Sequence, residues 1–407
     1  MKILVLNAGS SSQKSRLYEL TNTLPDLAPT PLWEADADWG ERQGKTELQI
    51  KTAHGATLKQ ELQTDSRPAV ISHLLTTLWS GPTQVIAQPS DIDIVGHRVV
   101  HGGQEYREPT IITPAVKAAI QRLAIFAPAH NPANLEGIEA IERILPSVTQ
   151  IAVFDTAFHS QLPLSTAVYP GPYEWFEQGI RRYGFHGISH QYCAHRTAQI
   201  LGKDLQSLRL ITCHLGNGCS LAAIQHGHSI DTTMGFTPLE GLMMGSRSGT
   251  IDPGILIHLQ RQKGATADQL DATLNKASGL KGVSGISSDM RSILSAMSKA
   301  NTRAQLAYDV YVHRLRSFIG AMLASLGGLD ALVFAAGVGE NSPAVRTSTC
   351  EAFRFLGLKL DQQKNAQSPA DTDIATPDSS IRVLIVHTQE DWQIAKECWK
   401  LASNHGG

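Results

Sequence analysis

The sequence has 407 residues, of which 42% are hydrophobic and 18% charged, and its formal net charge is −2. This composition is typical of a globular protein large enough for two domains, and the charge balance excludes a protein that works by binding polyanions or a charged membrane surface. No apolar stretch is long enough to cross a bilayer, and the first residues enter a strand pattern without a signal-peptide layout. We therefore expect a cytoplasmic protein without nucleic-acid or membrane partners.

The cysteines and histidines lack the spacing of a disulfide framework or a zinc site. The five cysteines are odd in number and have no C-x-x-C spacing, and none of the 16 histidines lies in an H-E-x-x-H pattern. We therefore expect reduced, buried thiols at Cys193, Cys213, Cys219, Cys350 and Cys398.

The opening stretch "MKILVLNAGSSSQK" is compatible with a plain turn or with a phosphate site. An apolar strand, Ile3 to Leu6, stops at Asn7, and glycine, three serines and Lys14 follow. Such a loop is an ordinary hairpin turn, or its backbone N–H groups and hydroxyls bind a phosphate. One loop does not decide between the two.

The remainder of the N-terminal half alternates predicted strands and helices. "IDIVGHRVVHGG" (Ile92–Gly103) reads as a strand that runs into a polar glycine loop. A helix follows with Thr113 as its N-cap and Pro114 as its first residue, and a second helix in "NPANLEGIEAIERILP" ends at Pro146. The run "TQIAVFDTAFH" predicts a buried strand that stops at Asp155, where we place the first domain boundary.

The C-terminal half repeats this alternation. "LRLITCHLGNGCSLAAI" predicts strand, glycine loop and strand, which is the layout of the opening segment and a weak sign of two related halves. A long amphipathic helix is predicted at Ala304–Gly327, and "LDALVFAAGVGENSPAVR" reads as a strand, a glycine-rich turn and a helix that begins near Pro343. The segment "IRVLIVHTQEDWQIAKECWKLA" predicts a strand, a short loop and a helix. The alternation predicts an α/β fold.

Polar or glycine-containing loops follow five of the apolar runs, at Asn7, Asp155, Gly216, Gly337 and Glu390. Ligands of α/β folds bind at the carboxyl ends of the strands, so these loops are expected to converge on one cleft. The absence of a G-x-x-x-x-G-K-[ST] run excludes a Walker-type nucleotide site. The glycine loops "GNG" and "GVGEN" are weak signals singly, but together with the opening loop they favour phosphate binding.

Taken together, the loop segments resemble the acetate kinase family. Several of them are long enough to be specific, and they span the chain from Asn7 to the C-terminal helix in the family's order. They read "NAGSSSQK", "HRVVHGG", "FDTAFH", "RRYGFHGISH", "HLGNGCS", "GLMMGSRSGTIDPG", "AAGVGENS" and "HTQED".

The resemblance implies a fold and a reaction. The fold is two duplicated ribonuclease-H-like (actin-like ATPase) domains with a cleft between them, as in the superfamily of acetate and sugar kinases, Hsp70 and actin, and the expected assembly is a homodimer. We place the N-terminal domain at residues 1–155, joined by residues 388–407, and the nucleotide-binding domain at residues 156–387. The reaction is reversible, Mg²⁺-dependent, direct in-line transfer of the ATP γ-phosphoryl group to acetate, giving acetyl phosphate and ADP.

Three residues match catalytic positions of that family. Arg247 is implied to stabilise the transferring phosphoryl group, which suits its planar guanidinium, and His186 matches a second transition-state residue. Asp155 matches an aspartate usually described as an acid or base. A carboxylate substrate is already ionised near neutral pH, since carboxylic acids titrate at about pH 4, so orienting the substrate or holding Mg²⁺ is the alternative role.

The binding residues are likewise implied by the resemblance. Arg98 is expected to bind the acetate carboxylate, with Val100, Ala129, His130, Phe185 and Pro238 completing the substrate site. The residues expected to bind ATP are Ser10, Ser12, Lys14, His214, Leu215, Gly216, Asn217, Gly218, Asp289, Met290, Arg291, Gly337, Val338, Gly339, Glu340 and Asn341. Asn7 and Glu390 match the site for Mg²⁺, with Mn²⁺ as an alternative metal.

Alternatives remain open at this stage. Ala129 stands where many family members carry leucine, and the larger pocket would suit a propionate or butyrate kinase of the same fold. A nucleotide-dependent binding or chaperone-like module is a different class, but it would not need the segments "HRVVHGG" and "GFHGISH". An inactive homologue is disfavoured because every expected polar site residue is present.

Overall fold

The computed structural model describes residues 1–9, 12–39, 44–128 and 130–405. The strands are β1 (Lys2–Ala8), β2 (Ser12–Glu19), β3 (Trp33–Asp38), β4 (Thr46–Thr52), β5 (Thr57–Leu62), β6 (Ile94–Val99), β7 (Thr110–Ile111), β8 (Thr149–Phe154), β9 (Arg209–Leu215), β10 (Cys219–Gln225), β11 (His228–Thr232), β12 (Ala331–Ala335), β13 (Thr372–Asp373) and β14 (Arg382–Ile385).

The helices are α1 (Arg67–Trp79), α2 (Pro114–Arg122), α3 (Asn131–Ile144), α4 (Leu164–Ala167), α5 (Tyr173–Glu177), α6 (Gly187–Leu201), α7 (Pro253–Lys263), α8 (Ala267–Lys276), α9 (Gly279–Ser284), α10 (Met290–Met297), α11 (Thr302–Leu326), α12 (Ala336–Asn341), α13 (Pro343–Glu351), α14 (Gln362–Gln367) and α15 (Glu390–His405). Short 3-10 helices lie at Pro89–Asp91, Leu123–Ile125, Ala157–His159, Leu205–Ser207 and Arg354–Leu356. Across the described ranges, no helix combines the length and apolarity needed to cross a membrane.

The chain forms two compact units, of which the first comprises Met1–Ala157 and Gln389–Gly407. Its sheet has the order β5-β4-β3-β2-β1-β6-β8-β7, with β1 antiparallel to β2 and parallel to β6, and β6 parallel to β8. Strand β1 is buried along nearly its whole length, as expected for a central strand covered on both faces, whereas β4 alternates buried and exposed residues.

Helices cover both faces of this first sheet. Val95 belongs to the apolar core that includes residues of α1 and α3. The next residue, Gly96, faces the opposite side, where a Cβ would lie 2.6 Å from Sγ of Cys398 on α15. Successive strand residues point to opposite faces, so α15 packs on the face away from α1 and α3, and a glycine permits its close approach.

The second unit, Phe158–Thr388, repeats the central strand pattern of the first. Its sheet has the order β11-β10-β9-β12-β14-β13, with β9 antiparallel to β10 and parallel to β12, and β12 parallel to β14. The series β10-β9-β12-β14 therefore corresponds to β2-β1-β6-β8 of the first unit. The predicted α/β fold of two related halves is confirmed.

Local sequence signals set several helix boundaries. The Thr113 side chain caps α2 by accepting a hydrogen bond from the Val116 N–H, and Pro114 is its first residue, as predicted. The long helix α11 begins at Thr302, two residues earlier than predicted, because the Asn301 side chain caps it. The predicted turn after β12 is wrong, since residues Ala336–Asn341 form the short helix α12.

All five cysteines are free and buried, as expected. Burial raises the pKa of the Cys219 thiol to about 11 and that of Cys350 to about 12. Both thiols are therefore protonated and unreactive at neutral pH.

Candidate active site

The first unit gathers polar residues at the carboxyl ends of three neighbouring parallel strands. Asn7 ends β1, Arg98 lies near the end of β6, and Asp155 follows β8. Arg98 Nη2 donates to Asp155 Oδ2 at 2.9 Å. Asn7 Nδ2 donates to Glu390 Oε2 at 3.2 Å and to Asp391 Oδ1 at 2.7 Å, and these two carboxylates begin α15. Strand order therefore brings four of the predicted residues to one edge of the sheet.

Arg98 retains hydrogen-bonding capacity in this cluster. Its Nε is buried and, within the described ranges, has no hydrogen-bond partner, although Nη2 is paired with Asp155. Burial by itself would lower the pKa of Arg98, but the charges of Asp155, Glu390 and Asp391 outweigh burial and raise it, so the guanidinium is always charged. A buried charged donor without an acceptor is costly, which indicates an anionic ligand at this position.

Oxygen donors suited to Mg²⁺ surround Asn7, although they do not form a complete metal cage. Among the described residues, no group of three or more His, Cys, Asp or Glu side chains is placed to hold a metal. Mg²⁺ normally keeps several waters and binds one or two carboxylates together with phosphate oxygens. The amide of Asn7 and the carboxylate of Glu390 fit that sparse type of site.

The β1–β2 hairpin places Lys14 directly across from Asn7. Ser12 and Lys14 are both exposed, and the turn is closed by a hydrogen bond from the Gly9 N–H to the Ser12 carbonyl oxygen at 2.8 Å. The predicted residue Ser10 lies outside the described residues. The hairpin thus presents an ammonium group beside the Asn7 cluster.

Two buried asparagines that the sequence reading missed hold the loop after β6. The N–H groups of Val100 and His101 donate to Asn134 Oδ1 and Asn131 Oδ1, each at 3.1 Å. Both asparagines lie on α3, and His130 immediately precedes that helix. The segment "HNPAN" contained the signal, since two asparagines on a helix that contacts the sheet need buried partners. Ala129 lies outside the described residues.

In the second unit, His186 is held by a serine and by a second histidine. His186 Nδ1 is hydrogen-bonded to Ser220 Oγ at 2.8 Å, and its ring stacks on that of His214 with centroids 4.1 Å apart. His214 Nδ1 is hydrogen-bonded to Ser189 Oγ at 2.8 Å. His186 has φ of 56°, which is uncommon for a residue other than glycine and characteristic of functional sites.

Arg247 is a partly buried cation that has no carboxylate partner among the described residues. Its Nη1 donates to the Pro238 carbonyl oxygen at 3.0 Å, and in the described part of the chain it forms no ion pair. Burial lowers its pKa, against a small opposing effect of Cys219. A Cβ added to Gly218 would lie 3.4 Å from His186 Nε2 and 3.5 Å from Arg247 Nη1, so this glycine keeps the space between two donors open. These groups form a site for a concentrated negative charge.

The second unit also has a cavity of about 560 Å³, which is lined by the three segments predicted to bind ATP. Eight of the predicted residues line it, and sequence reading missed Ser288, Leu294 and Ser342. Of the remaining predictions in this unit, Leu215 is fully buried in β9 and does not line the cavity. The predicted lining residues are Gly216, Asn217, Asp289, Met290, Arg291, Gly337, Val338 and Asn341.

Glu340 stabilises the segment Ala336–Asn341 and does not line the cavity. Its Oε1 accepts from the N–H groups of Ala336 at 2.8 Å and Thr388 at 3.3 Å, and its Oε2 is bonded to His387 Nδ1 at 2.6 Å. The fully buried Arg346 donates to the carbonyl oxygens of Gly339 and Glu340 at 2.7 and 2.8 Å. These contacts explain why the segment is the helix α12 instead of the predicted turn.

Asp289 makes its hydrogen bonds at the start of α10. Its carboxylate caps α10 by accepting from the Arg291 N–H at 2.8 Å and also pairs with the Arg291 guanidinium. The hydrogen bonds from Arg291 lower the pKa of Asp289 although desolvation opposes them. Asp289 therefore borders the cavity as an ionised carboxylate.

The chain is similar to known proteins over nearly its whole length. The sequence model of the acetokinase family matches residues 2–396. Proteins named acetate kinase from Cyanothece sp. and Gloeobacter violaceus are each 66% identical to it, over 401 residues (98% of both chains) and 402 residues (98% of this chain and 99% of the relative).

Solved structures are also similar to this chain in fold. The crystal structure of Porphyromonas gingivalis acetate kinase matches with a TM-score of 0.90 and 39% identity, covering 98% of this chain and 99% of that one. The crystal structure of a propionate kinase from Francisella tularensis matches with a TM-score of 0.88 and 37% identity, covering 97% and 98%.

Proposed function

The chain belongs to the acetokinase family, and from this premise we propose that it is an acetate kinase, which transfers the γ-phosphoryl group of ATP to acetate and gives acetyl phosphate and ADP. The observation that carries the proposal is the partly buried Arg247, which has no carboxylate partner in the described part of the chain and lies with His186 around the space at Gly218. Phosphoryl transfer needs positioning and neutralisation of negative charge more than covalent chemistry. Two donors beside one partly buried space supply that neutralisation.

Arg98 is the proposed ligand of the acetate carboxylate. Its buried Nε lacks an acceptor among the described residues, and the Asp155 carboxylate fixes Nη2 at 2.9 Å. A guanidinium held on one side by a carboxylate presents its remaining donors in a fixed direction. The contact of Asp155 with Arg98 Nη2 supports an orienting role for Asp155 over transfer of a proton.

We assign Asn7 and Glu390 to Mg²⁺, with Mn²⁺ as an alternative. When bound, the metal would neutralise charge on the ATP phosphates, for which an amide and a carboxylate are sufficient protein ligands. Lys14, opposite Asn7 in the hairpin, is positioned to bind a phosphate oxygen on the same edge of the sheet. The cavity of the second unit is the proposed site of the adenosine part of ATP.

The domain assignment, residues 1–155 with 388–407 and residues 156–387, and a cytoplasmic location without nucleic-acid or membrane partners complete this proposal. The second domain is the one proposed to bind the nucleotide, because the cavity lies within it.

Acetate is the proposed acyl substrate, and a propionate kinase is the alternative that Ala129 suggested. The relatives at 66% identity are named acetate kinase, whereas the structure named propionate kinase is 37% identical. We expect formation of acyl phosphate, trapped as the hydroxamate in the presence of ATP and Mg²⁺, to have the highest kcat/KM with acetate and to fall roughly tenfold with each added methylene. A higher kcat/KM with propionate would establish the alternative, and no product with any acid would refute both.

A homodimer is also proposed, and α7 marks its interface. This helix has no buried residue, and it exposes Ile255 and Ile257 by 46% and 48%. Residues two apart on a helix point to different sides of it, so covering both isoleucines needs a partner surface that contacts α7 on two sides. The occupant that we propose is a second copy of this chain, since closed two-fold assemblies pair the same region of each subunit.

Ile255→Asp with Ile257→Asp is therefore expected to convert the dimer to a monomer, measured by light scattering coupled to gel filtration. The control Leu164→Asp changes an exposed leucine outside α7, 64% accessible, and should leave the dimer intact. A dimer that survives the double substitution would contradict the assignment of α7.

A further inference from the structure

Four polar side chains of the second unit form a continuous hydrogen-bonded chain that ends at His186. Thr212 Oγ1 is bonded to His190 Nδ1 at 2.7 Å, and His190 Nε2 to Ser220 Oγ at 2.8 Å. Ser220 Oγ is bonded in turn to His186 Nδ1 at 2.8 Å. Thr212, His190 and Ser220 are each at most 1% exposed, so these groups are shielded from bulk solvent.

The direction of each hydrogen bond depends on the protonation of His190. Burial lowers the pKa of His190 well below its ordinary value, and the neighbouring His159 and His214 lower it further. His190 is therefore neutral at physiological pH, with one N–H donor and one acceptor nitrogen. Ser220 has a single hydroxyl hydrogen to place between two histidine rings.

Two arrangements give every bond one hydrogen and also use the hydroxyl hydrogen of Ser220, which is buried and has no acceptor among the described residues outside this hydrogen-bonded chain. In the first, His190 Nδ1–H donates to Thr212, Ser220 donates to His190, and His186 Nδ1–H donates to Ser220. In the second, Thr212 donates to His190 Nδ1, His190 Nε2–H donates to Ser220, and Ser220 donates to His186 Nδ1. The neutral His186 ring carries its proton on Nδ1 in the first arrangement and on Nε2 in the second.

Thr212 decides between the two arrangements. Within the described ranges, its hydroxyl has His190 Nδ1 as its single hydrogen-bond partner. In the first arrangement the Thr212 hydroxyl hydrogen would be buried without an acceptor, which is unfavourable. The second arrangement satisfies it, and it leaves the neutral His186 with an Nε2–H group beside Gly218 and Arg247.

We propose that Ser220 is a positioning residue for His186: with Thr212 and His190 it fixes the ring and its Nε2–H tautomer, so that His186 presents a hydrogen-bond donor without having to become protonated. The proposal deepens, and rests on, the proposed function, in which His186 stabilises the phosphoryl group in transfer. A neutral donor of fixed direction stabilises developing negative charge over a wide pH range.

Ser220→Ala tests this assignment. We expect kcat for acetyl phosphate formation to fall roughly 10- to 100-fold, with the KM values for ATP and acetate changed by less than about threefold, because Ser220 acts through His186. Ser220→Thr, which keeps the hydroxyl, should recover much of the loss. Thr212→Val is the second variant, and it should lower kcat in the same way if Ser220→Ala fails to fold.

The matched control is Ser229→Ala. Ser229 is also buried and is bonded to a histidine, His159 Nδ1, at 2.7 Å, but it does not belong to the chain that reaches His186. His159 Nε2 remains bonded to the Phe185 carbonyl oxygen in this variant, so we expect kcat within about threefold of wild type. In a His186→Ala background, Ser220→Ala should add no further loss.

Nitrogen-15 NMR of histidine-labelled protein provides a readout that does not depend on activity. At pH 8 the His186 signal, identified by its absence in His186→Gln, should show a protonated Nε2 in wild type and a mixture of tautomers in Ser220→Ala. A protonated Nδ1 in wild type, a normal kcat in Ser220→Ala, or an undiminished loss in the His186→Ala background would overturn the proposal. Failure of the proposed function would instead appear as wild-type protein that makes no acyl phosphate.

Discussion

Arg247→Ala is expected to lower kcat for acetyl phosphate formation about 1,000-fold, or about 4 kcal/mol of transition-state stabilisation. Arg247 is held by a backbone carbonyl and lies against the space at Gly218, where it can contact a transferring phosphoryl group. The free energy of unfolding should not fall, because the substitution removes a partly buried cation that lacks a carboxylate partner among the described residues. Steady-state kinetics and urea unfolding of the same preparation measure both effects.

Two further variants sharpen this prediction. Arg247→Lys keeps the charge but loses the planar fork, so it should recover only part of the activity. Arg303→Ala removes an arginine that also donates to backbone carbonyl oxygens, those of Val283 and Gly282, and it should leave kcat within about twofold. An Arg247→Ala enzyme that retains more than a tenth of wild-type kcat would contradict the role assigned to this residue.

Asp155→Asn is expected to lower kcat about 100-fold or more and to raise the KM for acetate. The carboxylate is 1% exposed and fixes Arg98 Nη2 at 2.9 Å, so a neutral amide leaves the guanidinium less well oriented. Removing one partner of a buried ion pair also destabilises the fold, here by about 3 kcal/mol. The negative charges of Glu390 and Asp391 still stabilise the Arg98 cation in this variant, so the free energy of unfolding should not fall further.

The pH profile of the Asp155→Asn enzyme separates the two roles of Asp155. If the carboxylate orients Arg98, the profile of kcat keeps the wild-type shape at a lower level, whereas loss of one ionisation from the profile would support proton transfer. The matched control is Asp330→Asn, which breaks a more exposed Asp–Arg pair with Arg209 and should not change kcat.

Local signals in the sequence predicted several of the strands and helices next to the expected site, whereas the helices α1 and α6 to α10 were not predicted. The start of α2 at Thr113 and Pro114 is determined by residues that are adjacent in the sequence. The same is true of the strand, turn and strand that form the hairpin β9–β10. Signals of this kind can be read without tertiary contacts. The helix α12 was missed because its glycines favour a turn, and its actual bracing comes from Glu340 and Arg346.

The candidate site was likewise predicted only in part from the sequence. The family resemblance identified four site residues, which are Arg98, Asp155, His186 and Arg247. The chemistry of the reaction explains these residue types, but it does not predict which residues they contact. The Asn134 contact with Val100 joins positions 34 residues apart, and the Ser220 contact with His186 also joins positions 34 apart. Only the strand order and helix packing bring such pairs together, so no pattern within one segment predicts them.

The most direct test of the account measures ADP and acetyl phosphate in the same reaction, with purified protein, ATP, Mg²⁺ and acetate. We predict one ADP for each acetyl group trapped as hydroxamate, and no ADP above background when acetate or Mg²⁺ is omitted. Release of ADP without trapped acetyl phosphate would show an ATPase rather than a kinase of acetate, and would contradict the central claim.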